Sequence, residues 1–346
     1  MTTPAHNAAR RLLTALALPL ALPLVLPLAL GATTAHAANT PDADAGSEAP
    51  GEIAAGNAIT VTGRAADELA TARKKLDRIP GGTSVVDADE VERGKAATVQ
   101  DILALQPGVF VQEVGGNDAI KVSVRGSGIN SAPGNMTEGI KWLFDGVGFT
   151  GPGGSSYELF EPLGVSYTEV LRGANAFDNG AITLGGAINF VSRTGLTDPG
   201  LTAGIQGGSY GYVKGQLAYG GQRGALDWYL SGVYSSADGY QQQTSHHKAS
   251  LTGNVGYKAS EAVQTRFFLR LANEQHYQAG LLTLGQLYAN PRQTSAANLS
   301  ARSDVRKFLS YSFANRTDVA LGANDKLTFG VNLSSTPQHI NTRSAS

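Results

Sequence analysis

The chain has no cysteine and no surplus of charge, with 27 Lys+Arg against 28 Asp+Glu in 346 residues and a formal net charge of -1. Without cysteine there is no disulfide scaffold, and the cysteine-based structural zinc sites are excluded. Without a basic excess there is no electrostatic footprint for nucleic acid. Long apolar runs are also missing, with one exception. Leu12 to Leu30 is almost wholly apolar, follows Arg10 and Arg11, and is succeeded by Ala35-His36-Ala37, a small-x-small cleavage pattern. This predicts a secretory signal over residues 1–37. A membrane anchor is the competing reading, and Pro19, Pro23 and Pro27 together with the lack of a charged flank argue against it. An exported chain with no later run of about 18 apolar residues is periplasmic, secreted or an outer-membrane barrel.

Residues 38–75 have little to bury at first. Asn39 to Gly56 is Ala, Pro, Gly and acidic residues, which predicts a flexible periplasmic tether. The patch Ala58-Ile59-Thr60-Val61-Thr62 is β-prone, and either adds itself to a partner's sheet edge or forms an ordinary edge strand. Residues 76–195 read as a compact α+β unit. Thr83 to Val86 is a strand, and Thr98 with Asp101 opens a helical turn through Ile102, Leu103 and Leu105 that Pro107-Gly108 closes. Strands follow at Val109–Gln112, Ile120–Val124, Trp142–Phe144, Tyr167–Leu171 and Ala187–Val191, with Asp145-Gly146 as a turn. The Gly-rich stretches 126–139 and 146–156 read as loops that make contacts.

From residue 196 to 346 the period becomes two. Leu226, Trp228 and Leu230 alternate with Asp227, Tyr229 and Ser231; Phe267, Leu269 and Leu271 alternate with Arg266 and Arg270; Leu309, Tyr311 and Phe313 alternate with Ser310 and Ser312. Further segments at 201–206, 212–219, 251–258 and 327–334 bring the strand candidates to seven. Alternation alone fits a sandwich or a membrane barrel. Short connections at 220–225 and 259–262 and long ones at 237–248 and 273–305 favour the barrel, whose periplasmic turns are short and external loops long.

Catalytic and metal patterns do not assemble. Gly207-Gly208-Ser209-Tyr210-Gly211 has the hydrolase-elbow spacing but is followed by a strand, so it reads as a hairpin turn. Gly180 and Gly185 have phosphate-loop spacing, with Gly186-Ala187 where Lys-Ser/Thr is needed. His246-His247 point to opposite strand faces, and His276 and His339 stand alone, so neither a protein-held metal nor a cofactor is expected; a surface His pair meeting a metal chelate stays open. Asp87, Asp89, Glu90 and Glu92 sit at a helix start, where the dipole favours them.

The motifs, in order, are Ile59-Thr60-Val61-Thr62, Val124-Arg125-Gly126, Phe144-Asp145-Gly146-Val147, Glu169-Val170-Leu171-Arg172-Gly173 and Gly185-Gly186-Ala187-Ile188-Asn189. This series resembles the plug domain of TonB-dependent outer-membrane receptors of the siderophore and ferric-chelate type. The resemblance implies an α+β plug followed by antiparallel transmembrane β-barrel strands, about seven or eight of them, with the barrel incomplete. It implies that Ile59, Thr60, Val61 and Thr62 are the box bound by TonB, the inner-membrane energy transducer. It also implies that Arg125, Glu169 and Arg172 hold against the barrel wall, with Gly126, Asp145, Gly146, Gly173, Gly185, Gly186 and Asn189 as structural plug positions. The expected setting is the outer-membrane lipid, the expected activity import rather than catalysis, and the expected cargo a ferric siderophore or ferric citrate. Cargo contacts are expected from the two Gly-rich plug loops and from Tyr240, His246, His247, Tyr277, Tyr288 and Arg292 in the external loops. A vitamin or oligosaccharide receptor of the same architecture and a truncated, non-transporting binding or signalling protein are the alternatives. The run Ala174 to Gly180 departs from the family pattern, and the stretch after 196 is short for a barrel of about 22 strands, which leads to the expectation of a fragment or truncated product.

Overall fold

The computed structural model describes residues 63–342 apart from 95, 114–119, 128–138, 150–156, 181–182, 278, 296–303 and 323–324. The signal, the tether, the box at residues 59–62 and most of the two Gly-rich plug loops therefore lie outside the described residues. Among the described residues no helix is long and apolar enough to cross a membrane, which says nothing about crossing by strands.

The first element corrects the end of the segment expected to be flexible over 38–75, because α1 spans Gly63–Leu76. Arg73, Lys74 and Lys75 in its last turn complement the helix dipole, and Ala72 and Leu76 are buried. Leu76 packs with Leu143, Leu171, Ala176 and Ala187, so this helix docks on the sheet that follows.

That sheet has five strands in the order β1 (Gly82–Asp87), β6 (Val165–Arg172), β7 (Gly186–Ser192), β4 (Ile140–Phe144), β5 (Val147–Gly148). β4 and β7 run parallel and the other pairs antiparallel. A separate hairpin joins β2 (Val109–Glu113) and β3 (Ile120–Val124), and two short helices, α2 (Ala88–Gly94) and α3 (Val99–Leu103), pack alongside. The capping box of Thr98 and Asp101 starts α3 as the sequence predicts. An aromatic cluster fills the core: Trp142 stacks on Phe190 at 5.9 Å, and Phe160 packs edge-on against Phe190 at 5.0 Å and lies 4.9 Å from Phe144. The same core includes Ala272 from the second sheet, so the α+β unit sits directly on that wall.

The wall is β8 (Gly200–Gly207), β9 (Val213–Arg223), β10 (Leu226–Ala237), β11 (His246–Lys258), β12 (Val263–Tyr277), β13 (Asp304–Ala320) and β14 (Lys326–Ser335), each antiparallel to the next. β15 (Gln338–Thr342) also pairs with β13 and extends the line of β14 beyond Thr336-Pro337, where proline cannot donate to the ladder. This is why seven sequence segments appear as eight strands. Strands run longer than expected at one rim, so His246 and His247 begin β11, and Tyr277 ends β12, instead of lying in loops. The turns at 224–225, 259–262 and 321–325 share one rim, and the connections at 208–212, 238–245 and 278–303 share the other. One face exposes Leu217, Leu230, Phe267, Leu271, Phe313 and Phe329, while the other buries Lys214, Ser231, Arg270, Glu274 and Ser310 against the plug. An apolar outer face over a polar inner one is the lipid-facing alternation of a membrane barrel.

Candidate functional site

Two clusters of polar side chains distinguish the inner side of the wall, and the first is the plug seat. The segment 157–164 makes two single 3-10 turns that lie along the wall. Lys214 of β9 reaches Glu161 at 2.6 Å and donates to the carbonyls of Ala96 and Ala97 at 2.9 and 3.1 Å, so all three ammonium protons are used. Gln216 donates to the Leu163 carbonyl at 3.0 Å and Lys248 to the Phe160 carbonyl at 2.7 Å. Tyr157 packs edge-on against Phe308 of β13, and burial, reinforced by the Glu158 and Glu274 carboxylates, pushes its phenol above the usual range. Glu274 meets His276 Nδ1 at 2.8 Å, and the buried imidazole stacks on Phe308.

A second anchorage is the Asp145-Gly146 turn between β4 and β5. Both residues have left-handed backbone, at φ 54 and 77. The Asp145 carboxylate accepts from Ser192 N and Oγ at 2.8 and 2.7 Å and from Arg270 Nη2 at 2.9 Å; its carbonyl accepts from Arg316 Nη1 at 2.7 Å. Gly146 N donates to Asn189 Oδ1 at 2.8 Å, and Asn189 Nδ2 donates to Glu169 at 2.8 Å.

Of the three charges expected against the barrel wall, Arg172 and Glu169 make contacts within the plug. Arg172 donates to Ser84 Oγ and the Thr83 carbonyl, both in the plug, and Glu169 is bound by Asn189 of the same sheet. Arg125 lies beside Arg172 across Gly82, where an added Cβ would stand 2.8 Å from the Arg125 Nη2 and 2.9 Å from the Arg172 Nε. Burial and the Arg125 charge hold Arg172 below the usual guanidinium range. Asp145, expected as a turn residue and structural plug position, carries a plug-to-wall charge contact with Arg270, as Glu161 does with Lys214. Gly126 follows Arg125 in a left-handed turn, Gly173 N donates to the Gly185 carbonyl at 2.8 Å, and Gly185 N to the Gly139 carbonyl at 2.6 Å. At Gly186 (φ 145) a Cβ would lie 2.1 Å from the Leu171 carbonyl oxygen. Gly186→Ala is expected to force β7 off β6 and cost the plug at least about 2 kcal/mol in urea unfolding.

At the long-loop rim the structure brings together only part of the expected set. The Tyr240 ring packs edge-on against Tyr210 at 5.5 Å, and the Arg292 guanidinium lies 5.4 Å from the Tyr210 ring centre and 5.7 Å from that of Tyr240. Gln242 N donates to the Arg292 carbonyl at 2.8 Å, tying two loops together. Tyr210, which sequence reading passed over as a hairpin turn, has φ 58 and a half-exposed ring. His246 pairs with His276 across β11 and β12, while His247 is exposed at the next position on the other face. Tyr277 shares the outward parity of Phe267 and Leu271, and Tyr288 stands 80% exposed on α4 (Leu284–Ala289). Thus Tyr240 and Arg292 share one cluster, and His247, Tyr277 and Tyr288 are not part of it.

Residues 75–187 match the family model described as the TonB-dependent Receptor Plug Domain. The chain is similar to the ferrichrome outer membrane transporter/phage receptor of Escherichia coli (strain K12), 22% identical over 303 residues that cover 83% of this chain and 39% of that protein. Among solved structures it shares the fold of the unliganded ferric citrate transporter FecA, with a TM-score of 0.65 at 17% identity over 79% of this chain and 42% of that one. It also shares the fold of BauA, the ferric preacinetobactin receptor of Acinetobacter baumannii, with a TM-score of 0.60 at 15% identity over 75% of this chain and 38% of that one. The chain therefore spans about two-fifths of the length of these relatives. The chain thus carries, over residues 75–187, a segment that matches the TonB-dependent receptor plug domain, seated on antiparallel strands that share the fold of these transporters.

Proposed function

We propose that this chain works in the outer membrane as an energised importer of a ferric chelate, a siderophore or ferric citrate, with TonB engaging residues 59–62. The observation that carries this reading is a plug domain held by buried polar contacts on the inner face of a wall whose outer face is apolar. A plug that fills the wall's inner side needs work to move it, and the periplasm supplies no ATP, so strand addition at a short β-prone segment is the physical means of pulling. The relatives named for ferrichrome, ferric citrate and ferric preacinetobactin supply the cargo class. The Tyr210, Tyr240 and Arg292 cluster offers two π-faces and a cation at the rim where cargo arrives, suited to an anionic chelate.

The test is uptake of ⁵⁵Fe as the citrate and as representative hydroxamate and catecholate chelates in iron-starved cells. Uptake of at least one chelate is expected, and it is expected to vanish when TonB is deleted or when Val61→Pro removes a strand hydrogen bond. Uptake that persists without TonB, or that occurs for none of the chelates, overturns the reading. Arg292→Ala is expected to weaken surface binding of the accepted chelate by about 3- to 30-fold, the loss of a partly desolvated cation–π contact. Unchanged affinity would remove the rim cluster from the cargo site.

A further inference from the structure

The outward face of the wall breaks its apolar pattern at one place near the long-loop rim. Among the described residues, the outward positions of β8 to β15 carry no carboxylate, and their basic side chains are Arg223 at the short-turn rim and His247, Lys307 and His339 at the other. The last three fall in a single ladder row. His247 of β11 is paired with Gln275 of β12, Gln275 with Lys307 of β13, and Lys307 with His339 of β15. With neighbouring strands about 4.8 Å apart, the row spans about 15 Å. His247, Lys307 and His339 are exposed, and none of the four side chains makes a hydrogen bond or ion pair among the described residues. The next position on each strand, Lys248, Glu274 and Phe308, is buried against the plug, so strand parity holds the row on the outer face.

We propose that this row binds the phosphorylated headgroup of an outer-leaflet lipid. This rests on the outer-membrane reading above, in which the long-loop rim is external. Toward the short-turn rim, Leu251, Leu271 and Tyr311 form another outward row, each four positions along its strand from His247, Gln275 and Lys307. At about 3.3 Å per residue the two rows are about 13 Å apart, so a lipid with its phosphate at the first lays its acyl chains over the second. A strand end standing in water would stay polar beyond the row. Instead the next outward pair is Tyr277 and Val305, both half-buried, and tyrosine is a residue of membrane interfaces. Free phosphate would use neither apolar flank, whereas a lipid uses the lower one along its length. Lys307 offers three N–H donors, Gln275 two and each imidazole at least one, and no carboxylate on this face repels the anion.

The experiment titrates the detergent-purified receptor with bisphosphorylated lipid A and with its dephosphorylated form, and reads bound lipid by native mass spectrometry. The parent is expected to hold the phosphorylated form about tenfold more tightly or better, and the combined His247→Gln, Lys307→Gln and His339→Gln variant to lose most of that preference. Gln275→Lys, which puts a cation between His247 and Lys307, is expected to raise the preference about threefold or more. Equal affinity of the parent for both lipids overturns the site, as does an unchanged preference in the triple variant. Where the triple variant does not fold, Gln275→Lys decides, and no gain overturns the site. Displacement of lipid A by millimolar inorganic phosphate would mean a free-phosphate site and overturns the lipid. Quenching of Trp228 by lipids with brominated chains tests the membrane reading separately, because Trp228 shares the outward row of Val255 and Phe267 while Trp142 is buried in the plug. Quenching without a phosphate preference removes the site and leaves the membrane reading, and no quenching removes both.

Discussion

Lys214→Met will cost the plug about 3–5 kcal/mol, the largest stability loss expected from a single substitution on the wall. The lysine is 1% exposed, and its ammonium group is shared among the Glu161 carboxylate and two backbone carbonyls of the loop before α3. Methionine matches the stem but leaves the Glu161 carboxylate, 3% exposed, without its cation. That carboxylate also accepts from Leu163 N and shapes the second 3-10 turn, so the damage spreads to the segment that touches β9 and β11. The protein has two tryptophans, and Trp142 is wholly buried in the plug core, so its fluorescence in a Trp228→Phe background reports plug unfolding in urea. Adding Glu161→Gln to Lys214→Met should recover most of the loss, since removing both charges eliminates the uncompensated one. A single-variant loss below about 1 kcal/mol would show that the pair adds little to seating.

What the sequence shows of this fold divides by the range of the interactions concerned. The wall was legible because a residue's face depends only on its parity, and residues such as Leu269 and Arg270 sort themselves by the period of two. Turn chemistry marked Asp145-Gly146 correctly, yet the partners of Asp145 lie 125 and 171 positions away, beyond any local pattern. Lys214 likewise reads as one more polar residue on a strand's inner face, and only the docked loop at 96–97 shows what it holds. α1 carried a usable signal, because Leu69, Ala72 and Leu76 recur at helical spacing, but the small, charged and Ala-rich composition was taken with the preceding tether. The rim cluster was half legible. Tyr240 and Arg292 stand in long connections where ligand contacts concentrate, whereas Tyr210 comes from a five-residue turn and enters the cluster only through the crossing of three loops.

Val86→Cys with Thr168→Cys should stop import while leaving chelate binding intact. These residues are paired across β1 and β6, and β1 is an edge of the plug sheet, bonded on one side only. In the proposed import reading, a pull on residues 59–62 is passed along the chain to α1 and then β1, whose separation from β6 breaks a short ladder; six register pairs hold it. A disulfide at the second pair from the end of that ladder turns separable hydrogen bonds into a covalent link, and paired residues of an antiparallel ladder are close enough to form one. Thr168 is 1% exposed with its hydroxyl unpartnered, so cysteine replaces it with little change in volume or bonding. The chain has no cysteine of its own, so no other thiol within it competes. Oxidised cells are expected to bind ⁵⁵Fe-chelate normally and import it at least about tenfold more slowly, with recovery on adding a membrane-permeant reductant. Import at the parental rate with the disulfide demonstrably closed would mean that β1 stays on the sheet during transport and that the plug yields elsewhere, with the Asp145 turn the next segment to lock.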